Sequence, residues 1–235
     1  MKTGSKLFLV KKIDTSSILE EYLNNKDDMV YIKLYYQPAH NDSVYIDLIS
    51  PYWKENKNNV GYILSNEIRT CVTKAAHMYP RLMSSLIDFA NEQKGYVSRV
   101  MVTSIKNESR YYPHIDVGLF YMLHDRYHLV ISSEGSSMIV DGLEKVFKTG
   151  DIFYLNNKGL HSGKSLKTEN ERIHVFFDIL PISLLEIFKH YLLWLFVYRK
   201  KQKINLFKGI LGFHSVIVAV YLSLFTYKHR YKTCL

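Results

Sequence analysis

Two cysteines in 235 residues, Cys71 and Cys234, are too few and too far apart for a disulfide framework or a cysteine-rich zinc module. A reducing compartment is the expectation. The motifs G-x-x-x-x-G-K-[ST], G-x-S-x-G, H-E-x-x-H and G-x-G-x-x-G do not occur, which removes P-loop, α/β-hydrolase, zincin and dinucleotide-binding chemistry from consideration. Internal repeats and low-complexity stretches are absent as well. Disorder is excluded by composition, because 47% of the residues are hydrophobic and 14% aromatic, enough to bury a core. The first twelve residues hold a short apolar patch between lysines and no small-residue cleavage site, so they do not read as a secretory signal and the chain is expected to begin in the cytosol.

Acidic residues are missing from one place in particular. Residues 199–235 carry eight Lys and Arg and no Asp or Glu, so nearly all of the net +9 lies there and the body of the chain is close to neutral. A nucleic-acid enzyme would carry its basic stripe on the folded domain beside stacking aromatics, and no nucleic-acid partner is expected. The cations instead bracket 209–227, 19 consecutive residues without a formal charge, which at about 1.5 Å per residue approach the thickness of a bilayer core. This is a candidate transmembrane segment, with packing as a buried helix the competing reading. The preceding stretch, 181–198, suits an amphipathic surface helix. Membrane association with a cytosolic catalytic domain follows, or a cytoplasmic protein if the segment packs instead.

The rest divides into 1–95, a mixed segment expected to pack on the core; 96–180, the core; and 181–235, the basic apolar C-terminal region. Residues 75–92 have apolar positions at helical spacing with Pro80 near the start, and predict one amphipathic helix. After Gly95, short β-branched and aromatic runs (96–105, 127–132, 138–140, 145–147, 151–155 and 172–180) are separated by turn signals, which predicts a sandwich or barrel.

The β-rich half also concentrates histidine and acid. His114 and Asp116 form a His-x-Asp whose side chains, if in a strand, leave the same face. His161 follows 45 residues after Asp116. Two histidines and one carboxylate with open positions opposite make the facial arrangement of non-haem Fe(II) oxygenases, which must leave room for a chelating α-keto acid and O₂. Arg126 and His128 share a face of the next strand, and Arg172 begins another. Positive groups inside a barrel are costly to bury without an anion, and a dicarboxylate would provide one that a guanidinium fork can grip.

The ordered set Tyr112-Pro113-His114-Ile115-Asp116, Arg126-Tyr127-His128-Leu129, Phe147-Lys148-Thr149-Gly150-Asp151, Asn156 to His161 and Arg172 to Ile179 resembles the aspartyl/asparaginyl (and proline) β-hydroxylase family of Fe(II)- and 2-oxoglutarate-dependent oxygenases. The resemblance spans Val100 to Leu180. It implies an α+β, mainly β fold, a double-stranded β-helix (cupin-like jelly roll) with flanking helices and, here, a C-terminal apolar helical segment. It further implies Fe(II) held by His114, Asp116 and His161, with Arg172 on the distal carboxylate of 2-oxoglutarate, His128 and Arg126 contributing to the cosubstrate site, O₂ as oxidant, and Asp178 as a structural acid. The implied activity is hydroxylation of an unactivated C–H bond of an Asp, Asn or Pro residue, an amino acid or a lipid acyl chain. Lys164 stands where the family often has Asn. A non-catalytic membrane-tethered cupin-like binding module is the alternative. His174 is expected to serve packing only.

Overall fold

A computed structural model describes residues 6–26, 43–51, 70–105, 110–133, 136–165, 171–181 and 183. In chain order the elements are β1 (Leu7–Lys12), α1 (Ser16–Asn25), β2 (Ser43–Pro51), β3 (Thr70–Val72), a 3-10 turn (Lys74–Met78), α2 (Pro80–Glu92), β4 (Gly95–Ile105), β5 (Arg110–His114), α3 (Leu119–Leu123), β6 (Asp125–Ser132), β7 (Ser137–Val140), β8 (Leu143–Val146), β9 (Asp151–Leu155), β10 (His161–Lys164) and β11 (Arg172–Pro181). The single helix expected over 75–92 is divided at Pro80. Proline has no N–H to donate and takes the first position of α2, where none is needed, so the preceding turn is a separate 3-10 piece. The N–H groups of Arg81 and Leu82 in that first turn donate to the two carboxylate oxygens of Glu21 on α1, at 2.9 and 3.0 Å. This explains why Glu21 is buried.

The strands pair antiparallel into a wide sheet, β1-β9-β6-β11-β4-β2-β3, and a narrow one, β5-β10-β7-β8. The order β4-β11-β6-β9 in one sheet and β5-β10-β7-β8 in the other is the connectivity of a double-stranded β-helix, a jelly roll. The N-terminal segment extends the wide sheet at both edges, β1 along β9 and β2 along β4.

Strand periodicity gives the wide sheet two working faces. Tyr127, Leu129 and Ile131 of β6 and Ile173, Val175, Phe177 and Ile179 of β11 join Ile18 and Tyr22 of α1 and Leu82, Leu86 and Phe89 of α2 in one apolar core. Residues of opposite parity look the other way. Val130, Phe153 and Leu155 meet Met138 and Val140 of the narrow sheet in a second cluster between the sheets. That parity carries Arg126 and His128 on β6, and Arg172, His174, Phe176 and Asp178 on β11, into the space between the sheets. Gly150 closes the turn before β9 with φ +89, where an added Cβ would lie 2.4 Å from the Ile13 carbonyl oxygen.

Among the described residues no helix is long and apolar enough to cross a membrane. The candidate segment 209–227 lies outside the described residues, as does nearly all of 181–235.

Candidate metal and anion site

His114 ends β5 and His161 opens β10, and the two are register partners across that pair. Their rings lie 4.2 Å apart between centroids. Asp116 does not share the strand with His114, as the His-x-Asp reading supposed. It lies in the loop beyond β5, where its N–H donates to the Asn157 carbonyl at 3.0 Å. That loop still returns the carboxylate to the histidines: one potential ligand atom from each of His114, Asp116 and His161 falls within 4.8 Å of the others.

The histidine tautomers are set by the backbone. Nδ1 of His114 is 2.7 Å from the Tyr112 carbonyl and Nδ1 of His161 is 3.0 Å from that of Gly159. A carbonyl only accepts, so both protons reside on Nδ1 and both Nε2 atoms carry the lone pair a metal takes up. Burial holds the His161 ring down to about 4; Asp116 opposes this shift, while His114 adds to it. The Asp116 carboxylate is buried too. Burial is the largest influence on it and pushes its pKa up, but Arg126, His161, Asn157 and His114 together bring the pKa below the ordinary carboxylate value. Its Oδ2 accepts from Arg126 Nη1 at 2.5 Å and from Asn157 Nδ2 at 2.9 Å, while Oδ1 lies 4.0 Å from His114 Nε2. One oxygen is thus tied down and the other faces the histidines.

Arg126 lines the pocket and also grips protein carboxylates. Its Nε and Nη2 donate to the two oxygens of Asp178 at 2.8 and 2.9 Å, and its Nη1 donates to Asp116. Burial disfavours its charge, yet Asp178 and then Asp116 outweigh that and keep the guanidinium protonated. The carboxylates it grips belong to the protein, and one of them is Asp116. Cross-strand register decides this, because Asp178 of β11 lies directly opposite Arg126 of β6.

Arg172 is the contrasting case. It is 2% exposed, and its Nη2 lies 3.2 Å from Nδ1 of His174 and 3.3 Å from the Met138 sulfur. The guanidinium stands 5.4 Å over the Tyr111 ring. Nε and Nη1 have no hydrogen-bond partner among the described residues. Burial draws its pKa below the ordinary value, with Tyr111 opposing. His128 is clamped between Phe153 and Phe176, at 4.9 and 5.0 Å, with Nδ1 unpartnered. Burial first, then Arg126 and Arg172, hold its ring well below the ordinary histidine value and therefore neutral. His128, Tyr111, Met138, Phe176, Arg126, Ser162 and the two triad histidines line a pocket of about 320 Å³, including its open mouth.

Sequence reasoning missed two residues here. His174 holds Arg172, and its only signal was its position two residues along the strand, on the same face. Asn157 holds Asp116 through both its carbonyl and its amide, and nothing local in the sequence announces that.

A crystal structure of an oxidoreductase of the 2OG-Fe(II) oxygenase family from Burkholderia pseudomallei superposes with a TM-score of 0.54, over 74% of this chain and 85% of that one, at 10% identity. The chain has the fold of a 2OG-Fe(II) oxygenase. Two other structures superpose more loosely. HygX from Streptomyces hygroscopicus, with nickel, 2-oxoglutarate and hygromycin B bound, gives a TM-score of 0.46 at 13% identity, over 76% of this chain and 84% of that one. The viral collagen prolyl hydroxylase vCPH from Paramecium Bursaria Chlorella virus-1, in its 2OG complex, gives 0.42 at 15% identity, over 76% of this chain and 98% of that one. No family model and no curated protein matches the sequence.

Proposed function

We propose that this protein is an Fe(II)- and 2-oxoglutarate-dependent dioxygenase that hydroxylates an unactivated C–H bond. The observation that carries this reading is a convergent His114–Asp116–His161 set with both Nε2 lone pairs preset, accompanied by a buried guanidinium, Arg172, that meets no carboxylate among the described residues. An all-protein ion pair would have satisfied Arg172 as Asp178 satisfies Arg126. Leaving two nitrogens of a buried cation unpaired costs stability, and an arriving anion recovers it.

In this reading His114 Nε2, Asp116 Oδ1 and His161 Nε2 hold Fe(II), whose chemistry is the activation of O₂ at the expense of 2-oxoglutarate. The chain's own residues bind, orient and exclude. Arg126 and Asn157 fix Asp116 through Oδ2, so that Oδ1 is directed at the metal position. The carbonyls of Tyr112 and Gly159 fix the imidazole tautomers. Arg172 receives the distal carboxylate of the cosubstrate, with neutral His128 beside it offering a ring nitrogen. Phe153, Phe176 and Met138 keep water from the pocket, which strengthens each of these polar contacts.

The carbon hydroxylated belongs to an Asp, Asn or Pro, as the aspartyl/asparaginyl β-hydroxylase resemblance implies, with a lipid acyl chain as the second class. Attachment of 209–227 to a membrane is a proposal from its cation-flanked sequence alone. The test is succinate release from 2-oxoglutarate by the full chain with Fe(II), ascorbate and O₂. Wild type is expected to release succinate, and His114→Ala and Arg172→Met to release none. Failure of wild type, together with calorimetry showing no metal-dependent 2-oxoglutarate binding, would replace the oxygenase with a non-catalytic binding module.

A further inference from the structure

A second group of polar side chains on the wide sheet lies close to the triad and takes no part in holding it. Arg99 of β4 is the register partner of Asp178, which is itself the partner of Arg126, so the three stand in one row across β4, β11 and β6. On β2, Tyr45 is paired with Thr103 and Asp47 with Met101. The side chain of Thr103 points towards the narrow sheet, where it meets the hydroxyl of Tyr111 at 3.3 Å. Cross-strand partners and alternate residues of one strand share a face, so Arg99, Asp47 and Tyr45 all look the same way as Thr103.

These three side chains are left short of partners. Tyr45 is 4% exposed and its hydroxyl has no hydrogen-bond partner among the described residues; neither do Oδ1 of Asp47 nor Nε of Arg99, although all three atoms are buried. Arg99 and Asp47 are of opposite charge, yet no ion pair joins them among the described residues, and both residues are partly open to solvent. They are near enough to feel one another. Burial above all, and then Asp47, raise the Tyr45 phenol to about 12, with Arg99 opposing. Burial also raises the Asp47 carboxyl, against the pull of Arg99 and then a hydrogen bond from the Ser50 side chain, which leaves Oδ1 unpartnered. Native proteins seldom leave a buried donor, a buried acceptor and a buried hydroxyl unsatisfied together, so the cluster calls for a molecule that offers both an anionic acceptor and a cationic donor.

The cluster is also linked to the metal-binding carboxylate. Arg99 Nη1 donates to the Tyr121 hydroxyl at 3.2 Å, the Tyr121 ring lies 5.3 Å from the Arg126 guanidinium carbon, and Arg126 bonds Asp116. Adjacent strands are about 4.8 Å apart, which puts the Arg99 backbone about 10 Å from that of Arg126, within the span of a small molecule whose far end reaches the metal position.

We propose that Arg99, Asp47 and Tyr45 form a substrate subsite for the head group of a free α-amino acid, Arg99 taking the carboxylate and Asp47 and Tyr45 the ammonium. A ligand with both charges on one carbon matches a ledge whose own two charges cancel, and a peptide-linked residue has neither. The inference rests on the oxygenase reading for calling this ligand the substrate, but the binding itself can be measured apart from it.

The experiment is calorimetric titration of the full chain, loaded with Mn(II) and 2-oxoglutarate, with pools of the twenty L-amino acids, followed by the single amino acid that binds. Binding at millimolar concentration or tighter is expected. Arg99→Gln and Asp47→Asn should each weaken it at least tenfold and leave 2-oxoglutarate binding within twofold of wild type. The N-acetyl derivative and the methyl ester of the same amino acid, each lacking one charge, should also bind at least tenfold more weakly. The subsite is overturned if 2-oxoglutarate binds and no amino acid does, or if binding is indifferent to both substitutions. Should 2-oxoglutarate itself fail to bind, the oxygenase reading fails separately, and the pools are then titrated into the unloaded chain. Binding there that Arg99→Gln abolishes sustains the subsite; no binding overturns it.

Discussion

Replacing Arg172 with Met should make the empty protein more stable while abolishing its response to 2-oxoglutarate, an opposition of signs that ordinary core damage does not produce. In the folded chain the guanidinium is 2% exposed, with Nε and Nη1 unpartnered. Each unsatisfied buried donor of this kind costs roughly 1–3 kcal/mol. Against this stand the contact with the Tyr111 ring, about 1–2 kcal/mol, and the hydrogen bond to His174, about 1 kcal/mol, whose acceptor the variant leaves unpaired. The unbranched, polarisable Met side chain fills most of the vacated space beside Met138. Because the unpaired His174 acceptor raises the cost of losing that hydrogen bond to about 2 kcal/mol, the mid-range balance favours the variant by only about 0.5 kcal/mol, and at roughly 2–4 °C per kcal/mol for a chain of this size, its melting temperature should rise by about 1–2 °C. Wild type loaded with Mn(II) should gain about 2.7 kcal/mol from 2-oxoglutarate at a hundred times its Kd, and the variant nothing. Thermal unfolding of both proteins, with and without 2-oxoglutarate, gives all four values. A variant less stable than wild type when empty, or one still stabilised by 2-oxoglutarate, would refute the assignment of Arg172 as the anion receptor.

His174 holds Arg172 only as a hydrogen-bond acceptor, so His174→Asn should keep 2-oxoglutarate affinity within about threefold and His174→Leu should weaken it at least tenfold, read by titration in the presence of Mn(II); equal loss in both would show that the ring merely packs. Asp178→Asn leaves a buried guanidinium with half its charge partner and should cost about 3–5 kcal/mol in urea unfolding. The double variant Arg126→Met/Asp178→Leu should cost less than the sum of its singles, and additivity would contradict a coupled pair. Three buried histidines outside the triad, His124, His128 and His174, are all held below the ordinary value of 6.5 by burial before any other cause, His124 to about 4. The unfolded chain therefore binds more protons than the folded one below pH 6.5. Stability is full above that pH and is lost as pH falls, by about 3 kcal/mol on account of His124 alone at pH 4. Urea midpoints should decline steadily from pH 6.5 to 4.5, and a flat profile would show that these rings titrate normally.

Much of the architecture was legible because period-2 alternation is a local property. Tyr127-Leu129-Ile131 and Ile173-Val175-Phe177-Ile179 declare the buried face of β6 and β11 in one dimension, and the turn signals around Gly142 and Gly150 delimit β8 and β9. The same alternation puts Arg126 and His128 on one face of β6, opposite its apolar face, and Arg172 at the start of β11. The stretches 1–70 were opaque for the converse reason. β1 and β2 are strands by virtue of their pairing with β9 and β4, and partners such as Leu7↔Leu155, Lys12↔Asp151 and Asp47↔Met101, 54 to 148 residues apart, are far beyond any local signal.

The chemical inventory is written in the order of the residues: which side chains could ligate a metal, which could receive an anion, and which strand faces they would share. Tertiary structure decided who meets whom. Two arginines of similar promise were separated by cross-strand register, which sets Asp178 opposite Arg126 and leaves Arg172 without a carboxylate among the described residues. Asp116 reaches the histidines from a loop pinned by Asn157, not from the strand that carries His114. Arg99, Asp47 and Tyr45 come together from strands more than fifty residues apart in the chain. Hydrogen bonds and ion pairs act over a few ångströms, and separation along the chain carries no record of which distant residues folding will bring within that range.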